Sequence, residues 1–77
     1  MSKIFVAVTA YFDLLGRITP LSIEWEDGRV FEIDRVVQIC RAASLKAGGQ
    51  GIRYTCRIRG RESYLFYEEL RWFVEGK

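Results

Sequence analysis

Arg53, Arg57 and Arg59 recur at odd positions of one strand-like stretch, and Tyr64 and Phe66 alternate in the next. Folded as a two-strand hairpin, that spacing puts all five side chains on one face. Guanidinium groups there could neutralise phosphates while the rings stack on bases. The same residue types concentrate binding energy at protein interfaces. A type II′ turn at Gly60-Arg61, with glycine first, sets Arg59 opposite Glu62, Arg57 opposite Tyr64, Thr55 opposite Phe66 and Arg53 opposite Glu68. Two cations then face carboxylates, an ordinary cross-strand arrangement worth about 0.2–1 kcal/mol each. Arg57 is left without one.

The stretch Ser44-Leu45-Lys46-Ala47-Gly48-Gly49-Gln50-Gly51 is the second candidate. Backbone N–H groups at Gly48, Gly49 and Gly51, together with Lys46, could cradle an anion. It is not a Walker loop, because the lysine precedes the glycines and no Ser or Thr follows. A hairpin connection explains it equally well, and its length makes it the expected mobile loop. Arg35 falls on an inward position between Ile33 and Val37, where an unpaired guanidinium would be costly. Val36 and Val37 are adjacent apolar residues that cannot share a face, so a bulge over Arg35-Val36-Val37 is expected to turn Arg35 outward. The alternatives are an exit at the rim or a carboxylate partner, and the functional reading is an acidic ligand anchored by Arg35 in the barrel mouth.

Catalysis finds little to work with. The chain has no histidine, which removes the commonest general base and metal ligand. Cys40 and Cys56 are too few for a zinc site and, with Cys56 facing the core and Cys40 pointing away, are not expected to bond each other. The carboxylates Glu24, Glu26, Asp27, Glu68 and Glu69 sit near hairpin tips, where nothing pushes two pKa values apart. No catalytic, cofactor or metal residue is assigned.

With 77 residues, 49% of them hydrophobic and 14% aromatic, the chain reads as one domain spanning 1–77. A domain this small buries only about 60% of its unfolded surface and is marginal alone. The net charge of +2 is modest for a polyanion binder, although nine of the twelve cations are arginine. The opening apolar run Ile4-Phe5-Val6-Ala7-Val8 is far shorter than a membrane helix requires, and no cleavage site of signal-peptide type follows it. A cytoplasmic protein with free thiols and no membrane association is the expectation.

Period-two alternation between turn residues predicts an all-β fold: a six-strand antiparallel meander over 3–12, 18–26, 29–41, 52–59, 62–68 and 71–75, curled or closed as an SH3-like barrel. Pattern matching sets the registers. Val8 should face Leu21 across a four-residue loop ending at Gly16. Ile23 should face Phe31 and Leu21 should face Ile33 across a three-residue loop with Gly28 in a bulge. The inner faces would then hold Ile4, Val6, Val8, Leu21, Ile23, Trp25, Phe31, Ile33, Ile39, Ile58, Leu65, Trp72 and Val74. That leaves Phe5, Tyr11, Tyr64, Phe66 and Phe73 outside.

The stretches Gly16-Arg17-Ile18-Thr19-Pro20-Leu21, Glu32-Ile33-Asp34-Arg35-Val36, Arg53-Tyr54-Thr55-Cys56-Arg57-Ile58 and Trp72-Phe73-Val74 resemble those of a group of short, uncharacterised bacterial β proteins. The resemblance implies a bacterial cytoplasmic protein with a curled antiparallel sheet. It transfers no activity, cofactor or functional residue.

So many aromatics outside so small a core suggest an interface. The expectation is a non-enzymatic binding module whose partner is a protein, either another protein or a second copy of the chain (a homo-oligomer). The alternative is a small nucleic-acid-binding domain using the Arg53–Phe66 face.

Overall fold

In the computed structural model, which describes residues 2–41 and 51–76, every regular element is a β-strand. In chain order they are β1 (Ser2–Phe12), β2 (Ile18–Glu24), β3 (Val30–Glu32), β4 (Arg35–Arg41), β5 (Ile52–Ile58), β6 (Arg61–Glu68) and β7 (Arg71–Gly76). They form one antiparallel sheet in the order β3-β2-β1-β7-β6-β5-β4, curled into a half-barrel. β1 is long enough to serve two neighbours: residues 2–6 pair with β7 and residues 7–12 with β2.

The expected third strand, 29–41, breaks at Ile33-Asp34 into β3 and β4, so the sheet has seven strands. The break is what curls it. The Ile33 amide donates to the Leu21 carbonyl of β2 at 2.9 Å, and the next amide, Asp34, donates to the Arg57 carbonyl of β5 at 2.8 Å. Successive N–H groups of an extended chain point to opposite edges. The bent strand therefore bonds β2 along one edge and β5 along the other, drawing the two ends of the sheet together.

Registers follow the turns. The β2–β3 hairpin is as the pattern requires: Ile23 faces Phe31, Leu21 bonds Ile33, and Gly28 has φ 89° in a three-residue loop. The β1–β2 hairpin is not. Val8 faces Ile23 rather than Leu21, and the loop holds residues 13–17. The Asp13 carboxylate accepts from the amides of Leu15 at 2.9 Å and Arg17 at 2.8 Å, closing a five-residue loop that hydrophobic pattern does not reveal. A bulge at Leu21 restores the pairing further along. Pro20 and Ile23, an odd number of residues apart, are consequently both buried, while Leu21 is turned out to solvent. Proline, with no N–H to lose, suits a strand beside such a bulge.

The β5–β6 turn is Arg59-Gly60 instead of Gly60-Arg61, with φ 53° and 78°. Both values are those of a type I′ turn, which, like the expected type II′ turn, has a twist that suits a hairpin. The slip is two residues, so the faces stay as expected while every partner changes. The core is Ile23, Tyr54, Cys56 and Leu65, with Val6, Val8, Val36, Ile52, Ile58, Trp72 and Val74 packed against it. Across the curl, the Tyr54 hydroxyl donates to the Ile18 carbonyl at 2.8 Å, tying β5 to β2.

Candidate functional site

The two-residue slip rearranges the expected arginine face. Arg57 faces Glu62, not Tyr64, and its guanidinium lies 3.5 Å from that carboxylate. The cation expected to be free is therefore the paired one. Arg53 faces Phe66 rather than Glu68 and stacks on Tyr64 at 4.7 Å from the ring centre. Phe66 is not exposed. It stacks on Phe73 with ring centres 5.1 Å apart, and Phe5 meets Phe73 edge-on at 5.8 Å. Phe66 and Phe73 are 4% and 1% exposed, so two of the five aromatics expected outside are buried. Lys3 lies over Phe73 and Arg71 over Phe5. What remains on that face is Arg53 with Tyr64, the Arg57–Glu62 pair, and Arg35 directly opposite Arg57.

Arg35 is exposed, and the bulge falls at Val37, within the expected stretch. Val36 packs on the core while Val37 is exposed, against the inward position expected for it; Ile39 keeps the expected face, opposite Tyr54, but is also exposed. Edge strand β4 has only β5 beside it among the described residues, which leaves Ile39 uncovered.

Arg59 leaves the face altogether. Its positive φ swings the side chain over the end of the curl, where its guanidinium sits 5.0 Å from the Phe31 ring centre. Arg29 approaches the same ring at 5.6 Å. Beneath them is a cleft of about 690 Å³, floored by Ile23, Trp25, Phe31, Ile58 and Val74. Arg59, Arg61 and Glu75 stand at its rim. Its size and apolar lining with a few polar groups match sites that take a ligand or side chain from another molecule. Arg59 and Arg61 make no ion pair among the described residues, whereas Arg29 is held by Asp27 at 2.7 Å.

The curl explains why the cleft exists. The β2–β3 hairpin, the β5–β6 turn and the end of β7 reach the same end of the sheet, where no further element caps Trp25 and Phe31 among the described residues. Sequence pattern assigned Trp25, Phe31, Ile58 and Val74 to core filling and singled out neither Arg29 nor Arg61. One signal was available: both hairpin turns, Asp27-Gly28 and Arg59-Gly60, are followed or opened by arginine. Only the curl shows that the two turns are neighbours.

Of the expected glycine-rich loop, Lys46, Gly48 and Gly49 lie outside the described residues. Gly51 is buried against Glu68, whose Oε2 would stand 2.8 Å from an added Cβ, so this end of the loop is a packed position. Glu68 is itself 7% exposed and bonds Lys3 at 3.4 Å. Both cysteines are free and on opposite faces, Cys40 beside Arg53 and Cys56 in the core. Burial pushes the Cys56 thiol up to about 11, far from a nucleophile's range. The described residues contain no group of three metal-ligating side chains, and no helix long and apolar enough to cross a membrane.

No protein-family model, curated protein or solved structure matches the chain. Nothing in those comparisons bears on the expected bacterial group.

Proposed function

We propose that this chain is a non-enzymatic protein-interaction module that holds an apolar, acidic segment of its partner in the cleft beneath Arg59 and Arg61. The observation that carries the reading is the combination of floor and rim. Trp25, Phe31, Ile58 and Val74 offer apolar area, and two arginines with no ion-pair partner among the described residues stand above it. An incoming side chain would remove that floor from water, the dominant favourable contribution at about 25 cal/mol per Å². A flanking carboxylate would meet the guanidinium groups in charge-assisted hydrogen bonds. The two free thiols fit a reducing compartment such as the bacterial cytoplasm.

Selection of a random peptide library on the folded protein tests this. Enriched peptides should carry paired aliphatic or aromatic residues beside Asp or Glu, and Arg61→Glu should weaken them about tenfold or more. Peptides that bind that variant unchanged would refute the reading.

Nucleic-acid binding is the second reading, favoured by Arg53 stacked on Tyr64 with Arg35 and Arg57 on the same face. Like charges opposite one another cost stability that an anion would offset. Oligonucleotide affinity falling steeply between roughly 50 and 200 mM salt would support it.

A further inference from the structure

The cleft has a counterpart elsewhere on the same chain. The β1–β2 loop presents Leu14 and Leu15, which are 103% and 78% exposed, with Phe12 and Tyr11 exposed behind them. This is not a frayed loop. Asp13 accepts from Leu15 and Arg17 amides and from the Arg17 guanidinium at 2.9 Å, and the Asp13 amide donates to the Arg17 carbonyl at 3.0 Å. Five residues are thereby locked so that two leucines project beyond the sheet. A rigid loop loses little freedom when it docks. The tip is also apolar: the Asp13 carboxylate before the leucines is turned back onto the Leu15 and Arg17 amides and the Arg17 guanidinium, so what the tip offers outward is its two leucines. It thus matches the apolar floor of the cleft, Trp25, Phe31, Ile58 and Val74.

The two features lie at opposite ends of the molecule. The tip follows the end of β1, while the cleft is bordered by the end of β7, which pairs with the start of β1. Eleven residues of strand span roughly 33 Å, matching the longest molecular dimension of 34 Å. One copy cannot fill its own cleft. Two leucine side chains need on the order of 200 Å³ at about one water volume per carbon, well within 690 Å³. We infer that the cleft receives the Leu14-Leu15 tip of a second copy, so that molecules associate head to tail. This rests on the proposed role of the cleft and names its occupant. A tip seated in the next copy's cleft is a heterologous contact, which repeats into open chains or, where the rotation closes, into rings. So small a contact gives a weak association, with Kd on the order of 0.1–1 mM.

Sedimentation of the full chain across that concentration range tests it. The wild type should show mass rising beyond a dimer. Leu14→Asp/Leu15→Asp removes the tip without touching the packed core, and Ser63→Glu places a carboxylate in the cleft from an exposed position. Each should be monomeric, with an unchanged urea midpoint confirming the fold. Mixed together they should give dimers and nothing larger, because one intact tip and one intact cleft remain per pair. Chains that persist in the tip variant overturn the inference, as does a Ser63→Glu protein that still assembles. A monomeric wild type overturns it too, and if selected peptides still bind the cleft, the interaction module stands without self-association. A monomer whose tip binds phosphatidylcholine–phosphatidylserine vesicles would assign Leu14 and Leu15 to a lipid surface instead.

Discussion

Replacing Leu70 by glycine should make this protein more stable, although it deletes a large apolar side chain. Leu70 and Glu69 form the β6–β7 turn with φ 66° and 52°, so both positions are left-handed and neither is glycine. An L-residue held there is disfavoured by roughly 1–2 kcal/mol. Little is lost in exchange, because Leu70 is 85% exposed and gives up a small part of the ~1.5–3 kcal/mol that full burial would contribute. Glycine also widens the unfolded ensemble, at a cost of about 0.4–1 kcal/mol. The balance favours Leu70→Gly by about 0.5 kcal/mol, or a Tm higher by roughly 2–4 °C for a chain of this size. Leu70→Val should move the other way by about 1 kcal/mol or more, since a β-branched residue at positive φ is an outlier. Glu69→Asn combined with Leu70→Gly builds the dipeptide that type I′ turns prefer and should be the most stable of the set. Urea unfolding followed by tryptophan fluorescence reads all four proteins. A glycine variant less stable than wild type, with valine indistinguishable from it, would refute the argument from turn geometry.

Gly51→Ala should destabilise by about 1–3 kcal/mol, because the new methyl meets the buried Glu68 carboxylate; urea midpoints measure it. Tyr54→Phe should cost about 1 kcal/mol by removing the hydroxyl that bonds Ile18 across the curl, read in the same titration. Cys56 sets an alkaline limit. Its folded thiol holds a proton up to about 11 while the unfolded one releases it near 9.0, so the unfolded state alone gains from deprotonation between those values. The Cys56 contribution should be constant just below pH 9.0 and fall by about 2–3 kcal/mol on approaching 11. Cys56→Ala, less stable at neutral pH, should make the decline above pH 9.0 shallower, leaving the smaller loss from Tyr54, whose hydroxyl is also pushed up by burial.

Much of the strand content could be read directly, because period-two alternation and glycine punctuation are local. The β2–β3 hairpin shows the method at its best: only one loop length puts Ile23 opposite Phe31, and Gly28 supplies the conformation that the loop needs. The β5–β6 hairpin shows its limit. Alternation distinguishes odd slips from even ones, so faces were right and partners wrong by two, and the choice between turns rested on Gly60 alone. The chain uses the type I′ turn, with Arg59 at φ 53° ahead of Gly60. That single choice moved Arg57 onto Glu62 and Arg59 onto Phe31, dissolving one candidate surface and building another.

The sequence by itself determined an all-β chain and the bulge near Val36-Val37, since each depends on neighbours a few residues apart, and strand alternation also put the two cysteines on opposite faces. It also determined that large apolar groups would remain outside, though it misplaced which ones: Phe66 and Phe73 are buried, while Leu14, Leu15 and Leu21 are exposed. Only the tertiary structure decided the curl, because the hydrogen bonds from Ile33 to β2 and from Asp34 to β5 join strands distant in sequence. It also set the cleft at one end of β1 and the leucine tip at the other. The physical reason is that pattern specifies which face of a strand is apolar, while the bend of the sheet specifies whether that face is covered.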